Sequence, residues 1–117
     1  MPAIRNGQLT MTRDEIIKRI AECIMNGRCV LVVMARRRLS DEVMDEVRDY
    51  LQSIDYKFNI NKSRQQIRGE GCATFVMRRQ DRRGMKCDYL VVDEDTKRVA
   101  TEWIAPYYAI AQEVDVI

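Results

Sequence analysis

Two apolar runs constrain this chain more than anything else in it: Cys29-Val30-Leu31-Val32-Val33-Met34-Ala35 and, nearer the C-terminus, Cys87-Asp88-Tyr89-Leu90-Val91-Val92-Asp93. Neither alternates apolar with polar residues as a strand with one wet face would. Their β-branched residues favour extended backbone. A strand apolar on both faces must be covered on both, as in a parallel sheet between helices. The sequence before and after the first run supplies the covering. Thr12-x-x-Glu15 is a capping box, in which a hydroxyl and a carboxylate satisfy each other's orphan amides. It opens a helix whose apolar residues Ile16, Ile17, Ile20, Cys23 and Ile24 recur at helical spacing, and Asn26-Gly27 ends it. After the first run and Arg36-Arg37-Arg38, Ser40 is expected to cap a second helix. Asp41 and Glu42 lie near its positive end, and Val43, Val47, Tyr50, Leu51 and Ile54 form its inner stripe.

Residues 55–60, with Tyr56, Phe58 and Ile60 alternating against polar neighbours, predict a β-rich stretch. A short strand over 65–68, a turn at Gly69-Glu70-Gly71 and a strand over 72–77 follow. A basic loop spans 78–84 before the second apolar run. Residues 97–111 predict a helical region divided by Pro106, and residues 114–117 a terminal edge strand. The order α-β-α-β-β-β-α-β predicts an α/β fold, a three-layer sandwich with a mixed, mostly parallel sheet flanked by helices. A chain of 117 residues holds one core. Residues 1–11, with a turn at Asn6-Gly7, are read as an N-terminal extension, and residues 12–117 as a single α/β domain.

Several function classes are excluded by what the chain lacks. It contains no histidine, which removes Ser-His and Cys-His nucleophile pairs and the mixed zinc sites. Its four cysteines, Cys23, Cys29, Cys72 and Cys87, form no Cys-x-x-Cys pair and read as reduced thiols acting as small hydrophobes. With no apolar run of about 18 residues and no signal-like start, a cytoplasmic protein that avoids the membrane is expected.

Charge is unevenly spread. Residues 57–87 carry nine basic side chains against two acidic, while residues 88–117 carry two against seven. Arg36, Arg37 and Arg38 follow one strand, and Arg78, Arg79, Arg82, Arg83 and Lys86 follow another. In open α/β sheets ligands collect at the carboxyl ends of strands, and guanidinium forks grip phosphate oxygens two at a time. These eight residues are therefore the candidate ligands for a phosphate-bearing partner, a nucleic acid or a nucleotide. Asp93, Glu94 and Asp95 are weaker candidates for a hard cation such as Mg²⁺. An alternative metal-dependent nuclease would add Asp88 and Lys86 to them. Trp103, Tyr107 and Tyr108 would be the anchors of a protein-interaction module or homo-oligomer.

Leu90-Val91-Val92-Asp93-Glu94, an apolar strand ending in Asp-Glu, resembles the Walker B element of P-loop ATPases. The strand, arginine loop and helix from Cys29 to Leu51 resemble the corresponding segment of viral DNA-packaging terminases and helicases. Residues 60–77 resemble the hairpin that terminases place before Walker B. The resemblance implies a degenerate P-loop ATPase core in which Asp93 would help hold magnesium and Glu94 would polarise water. It also implies a phage or mobile-element accessory protein, working in the host cell cytoplasm. This chain departs from the family at one decisive point: it contains no Gly-x-x-x-x-Gly-Lys-Ser/Thr loop to hold a triphosphate. The expectation is therefore a non-catalytic binding protein, with an inhibitor that mimics part of an ATPase as the alternative.

Overall fold

The computed structural model describes residues 11–99 and 102–117. The expected turn at Asn6-Gly7 and nearly all of the proposed extension lie outside the described residues. The elements run α1 (Arg13–Met25), β1 (Cys29–Met34), α2 (Arg37–Ser53), β2 (Asn59–Asn61), β3 (Gln66–Arg68), β4 (Cys72–Met77), β5 (Tyr89–Val92), α3 (Glu94–Arg98), α4 (Ala105–Ile110) and β6 (Glu113–Val116). Six strands form one sheet in the order β2-β3-β4-β1-β5-β6. β1 pairs in parallel with β4 and β5, and β5 in parallel with β6, while the β2–β3 and β3–β4 pairs are antiparallel.

The two faces of this sheet explain the unbroken apolar runs. Val30, Val32 and Met34 of β1 point to one face with Ala73, Phe75, Tyr89 and Val91, where they pack under Ile16, Ile20 and Ile24 of α1 and Val43, Val47 and Leu51 of α2. Leu31 and Val33 point to the other face with Val76, Leu90 and Val92, covered by Cys87, Trp103, Ile104 and Tyr107. Each strand thus feeds two cores in alternation. This is the three-layer α/β arrangement that the sequence predicts.

Local signals set α1. The Thr12 hydroxyl accepts from the Glu15 amide at 3.2 Å, the Glu15 carboxylate accepts from the Thr12 amide at 2.8 Å, and Gly27 takes a φ of 77° just past the end. Other boundaries move. α2 begins at Arg37, ahead of the expected Ser40 cap, and Ser40 is buried in its first turn. Its entry is fixed from a distance instead, because the Asp93 carboxylate accepts from the Ala35 amide at 2.9 Å. The stretch expected to be β-rich from residue 55 yields a strand only at Asn59, since Asp55 closes α2 with a φ of 60°. The last helical region is two helices. α3, capped by Asp93, begins at Glu94, three residues earlier than expected, and Pro106 sits in the first turn of α4, where its missing N–H costs nothing, rather than inside a helix. β5 is shorter than the apolar run and stops at Val92, so Asp93 and Asp95 do not continue a strand.

Candidate functional site

Parallel pairing brings the ends of three strands together. Met34 of β1 stands opposite Met77 of β4, and Val33 stands opposite Val92 of β5. The residues that follow, Ala35-Arg36, Arg78 and Asp93, therefore emerge side by side at the carboxyl edge of the sheet. Asp93 ties this edge together. It is 3% exposed, and its Oδ1 accepts from the Thr96 amide and its Oδ2 from the Ala35 amide, both at 2.9 Å. Burial alone would raise its carboxyl pKa. Hydrogen bonding from Thr96 and from the Ala35 and Arg36 amides outweighs that, and the pKa falls below the usual carboxylate range.

Asp95, two residues on, has a different role. Its Oδ2 lies 2.9 Å from Nε of Arg36 and its Oδ1 lies 3.6 Å from a terminal nitrogen of Arg98. Its backbone carbonyl accepts from the Arg78 guanidinium at 3.3 Å. One residue thus gathers three arginines from three different segments. Arg78 is further held by its own backbone: its amide donates to the Met34 carbonyl at 2.7 Å, and its carbonyl accepts from the Trp103 indole at 2.9 Å. The outer guanidinium groups stay in solvent, with side-chain exposures of 71% for Arg36, 93% for Arg38 and 73% for Arg98. Arg37 rims a groove of about 460 Å³ between α2 and the β2–β3 hairpin, shared with Arg48, Lys62 and Gln65.

Of the eight cations singled out in the sequence, Arg36, Arg37, Arg38, Arg78 and Arg79 directly follow β1 or β4 and so emerge at this edge. The other three do not. After Arg79 the chain crosses the covered face of the sheet toward the start of β5. There the Tyr107 hydroxyl donates to the Arg82 carbonyl at 2.5 Å and accepts from the Met85 amide at 3.0 Å. Arg83 pairs with Asp81 at 2.8 Å. Lys86 lies two residues before Asp88, whose carboxylate accepts from the Cys29 amide at 2.8 Å at the opposite edge. Arg98 is the cation that sequence reading missed; its signal was its place three residues after Asp95 on a helical stretch.

The carboxylates do not assemble as a nuclease would require. Asp88 and Asp93 stand at opposite ends of β5, about 16 Å apart at strand rise. Both oxygens of Asp93 are engaged by amides and Asp95 is engaged by arginines. Among the described residues no three His, Cys, Asp or Glu side chains are placed to hold a metal ion. The donor set does not fit the octahedral oxygen shell of magnesium. The proposed aromatic anchors also lie elsewhere: Trp103 and Tyr107 are buried and meet edge to face with centroids 6.1 Å apart, and Tyr108 is half-buried. Among the described residues, no helix is long and apolar enough to cross a membrane.

No family model matches the chain, and no curated protein matches it. The fold is similar to that in the crystal structure of the HK97 bacteriophage large terminase, with a TM-score of 0.57 and 15% sequence identity. The likeness covers 76% of this chain and 22% of the terminase, so the chain spans under a quarter of that protein. At this identity the likeness shows a shared, terminase-like fold.

Proposed function

We propose that this chain is a non-catalytic, phage-related binding protein that grips the phosphate backbone of nucleic acid along the carboxyl edge of its sheet. The observation that carries the reading is the convergence of Arg36, Arg78 and Arg98 on Asp95. Arg36 and Arg98 meet its carboxylate, which acts as an internal stand-in for a phosphate, while Arg78 holds its backbone carbonyl beside them. Arg37, Arg38 and Arg79 extend the positive fringe to either side. The exposure of Arg36, Arg38 and Arg98 favours a polymer lying across the surface over a free nucleotide sealed in a pocket. The terminase-like fold supports a phage setting.

Two features support binding without hydrolysis. The sequence contains no Gly-x-x-x-x-Gly-Lys-Ser/Thr loop of the kind that cradles a triphosphate. The aspartate at the Walker B-like position has its oxygens committed to amides of β1's exit and α3. The proposed binding uses no metal. A protein-interaction role resting on Trp103 and Tyr107 is disfavoured by their burial.

The test is a fluorescence anisotropy titration with labelled single-stranded and duplex oligonucleotides at low salt, run beside an ATP hydrolysis assay. Binding that weakens as salt rises, with no ATP turnover, is expected. Absence of binding to either oligonucleotide overturns the proposal, and ATP turnover that depends on Glu94 overturns its non-catalytic part.

A further inference from the structure

The opposite edge of the sheet carries a feature that phosphate binding does not use. Cys29 opens β1, Cys72 opens β4, and the two face each other in parallel register. The Cys72 thiol donates to the Cys29 sulfur with the two sulfurs 3.7 Å apart. Both are half-buried, whereas Cys23 and Cys87 are buried. Each is pinned by its backbone: the Cys29 amide donates to the Asp88 carboxylate at 2.8 Å, and the Cys72 amide donates to the Arg28 carbonyl at 3.0 Å. Gly71 makes the second contact close, since a Cβ there would overlap the Arg28 carbonyl and amide. Neighbouring strands lie about 4.8 Å apart, which is inside the Cα separation of roughly 4.4–6.8 Å that a disulfide bridge tolerates. The sulfurs already lie in contact, on neighbouring strands at a separation that a bridge tolerates.

We propose that Cys29 and Cys72 form a dithiol modification site that closes to an intramolecular disulfide by exchange with a low-molecular-weight disulfide, stapling β1 to β4. One cysteine thiolate attacks the small disulfide, forms a mixed disulfide and expels the first small thiolate. The second cysteine, after giving its proton to solvent, attacks the sulfur of the first and expels the second small thiolate. Two cysteines are oxidised by two electrons in all, one small disulfide is reduced, and the two released protons end on the two small thiols. Burial, and after it the adjacent Cys29 sulfur, pushes the Cys72 thiol up to about 11, which keeps its thiolate scarce at neutral pH and slows its attack.

The test equilibrates the reduced full chain with excess oxidised glutathione, alkylates the remaining thiols, and reads intact mass and peptide map. Apart from alkyl groups on the other cysteines, the expected product has lost two hydrogens, keeps no glutathione, yields a Cys29–Cys72 linked peptide, and regains the two hydrogens with a dithiol reductant. Cys72→Ser is expected to trap glutathione on Cys29 as a mixed disulfide. A wild-type chain that stays reduced, retains glutathione on either cysteine, or links through Cys23 or Cys87 overturns the proposal.

Discussion

Asp93 and Asp95 are separated by one residue, and burial gives them different tasks. Asp93 gives up solvent to satisfy amides at the start of α3 and at the exit of β1. Removing its carboxylate would strand those donors, so Asp93→Ala is expected to cost about 3 kcal/mol, a lost cap plus unsatisfied amides. A urea midpoint at neutral pH measures it. The sign of the pH effect follows from the lowered pKa. Stability from this group is present above the ordinary carboxylate value near 3.8 and is lost as pH falls through the depressed folded value. Asp93→Asn is therefore expected to flatten the acid limb of the stability profile between wild type and variant. Asp95, in contrast, opposes the guanidinium groups in half-exposed surroundings. Asp95→Asn is expected to tighten oligonucleotide binding a few-fold while leaving the fold intact, and anisotropy at fixed low salt reads it. The sequence made both acids conspicuous at a strand end. It did not say which would turn inward, because one of the two partners of Asp93 lies 58 residues earlier at Ala35.

At the scale of elements, legibility depended on whether the deciding contact was local. α1 was readable because its capping box and its terminating glycine lie within its own few residues. The start of α2 was not, since Arg36 offers no side-chain cap and the entry is held by Asp93 from β5. The apolar runs revealed β1 and β5 as strands covered on both faces, but period and composition do not report pairing, so the order β2-β3-β4-β1-β5-β6 came only from the structure. The register of β1 and β4 rests on a close approach. Gly71 is buried against the backbone of Arg28, and its amide donates to the Ile24 carbonyl at 2.7 Å. Gly71→Ala is expected to push these strand starts apart and cost roughly 2 kcal/mol or more. A lower thermal midpoint, with accelerated hydrogen exchange at Cys72 and its neighbours, would register that. Gly27, with open space around it, would lower the midpoint by backbone strain alone without touching the β1–β4 exchange pattern.

Across the whole molecule, the sheet turns a linear charge pattern into an edge. The basic middle of the sequence suggested one patch, but the fold divides it. Arg78 and Arg79 join Arg36, Arg37 and Arg38 at the carboxyl edge, while the chain from Arg82 to Lys86 travels back across the sheet to the other edge. The first grouping was half legible: both arginine clusters follow strands in the sequence, but the parallel alignment of β1 and β4 that brings them together came from the structure. The division was not legible, because a loop's path depends on contacts such as Tyr107 with Arg82. Arg98 completes the edge from the acidic end of the chain, where a charge count by segment hid it. The proposed binding thus needs three guanidinium groups from separate segments acting together on phosphate. The most direct measurement is the salt dependence of single-stranded oligonucleotide binding for wild type and for the triple variant Arg36→Ala, Arg78→Ala, Arg98→Ala, with circular dichroism confirming that both are folded. Each lost phosphate contact should lower the slope of log affinity against log salt by about 0.7, so the variant is expected to bind more weakly with a slope shallower by roughly 2. A folded variant that binds with the wild-type affinity and slope would contradict the account.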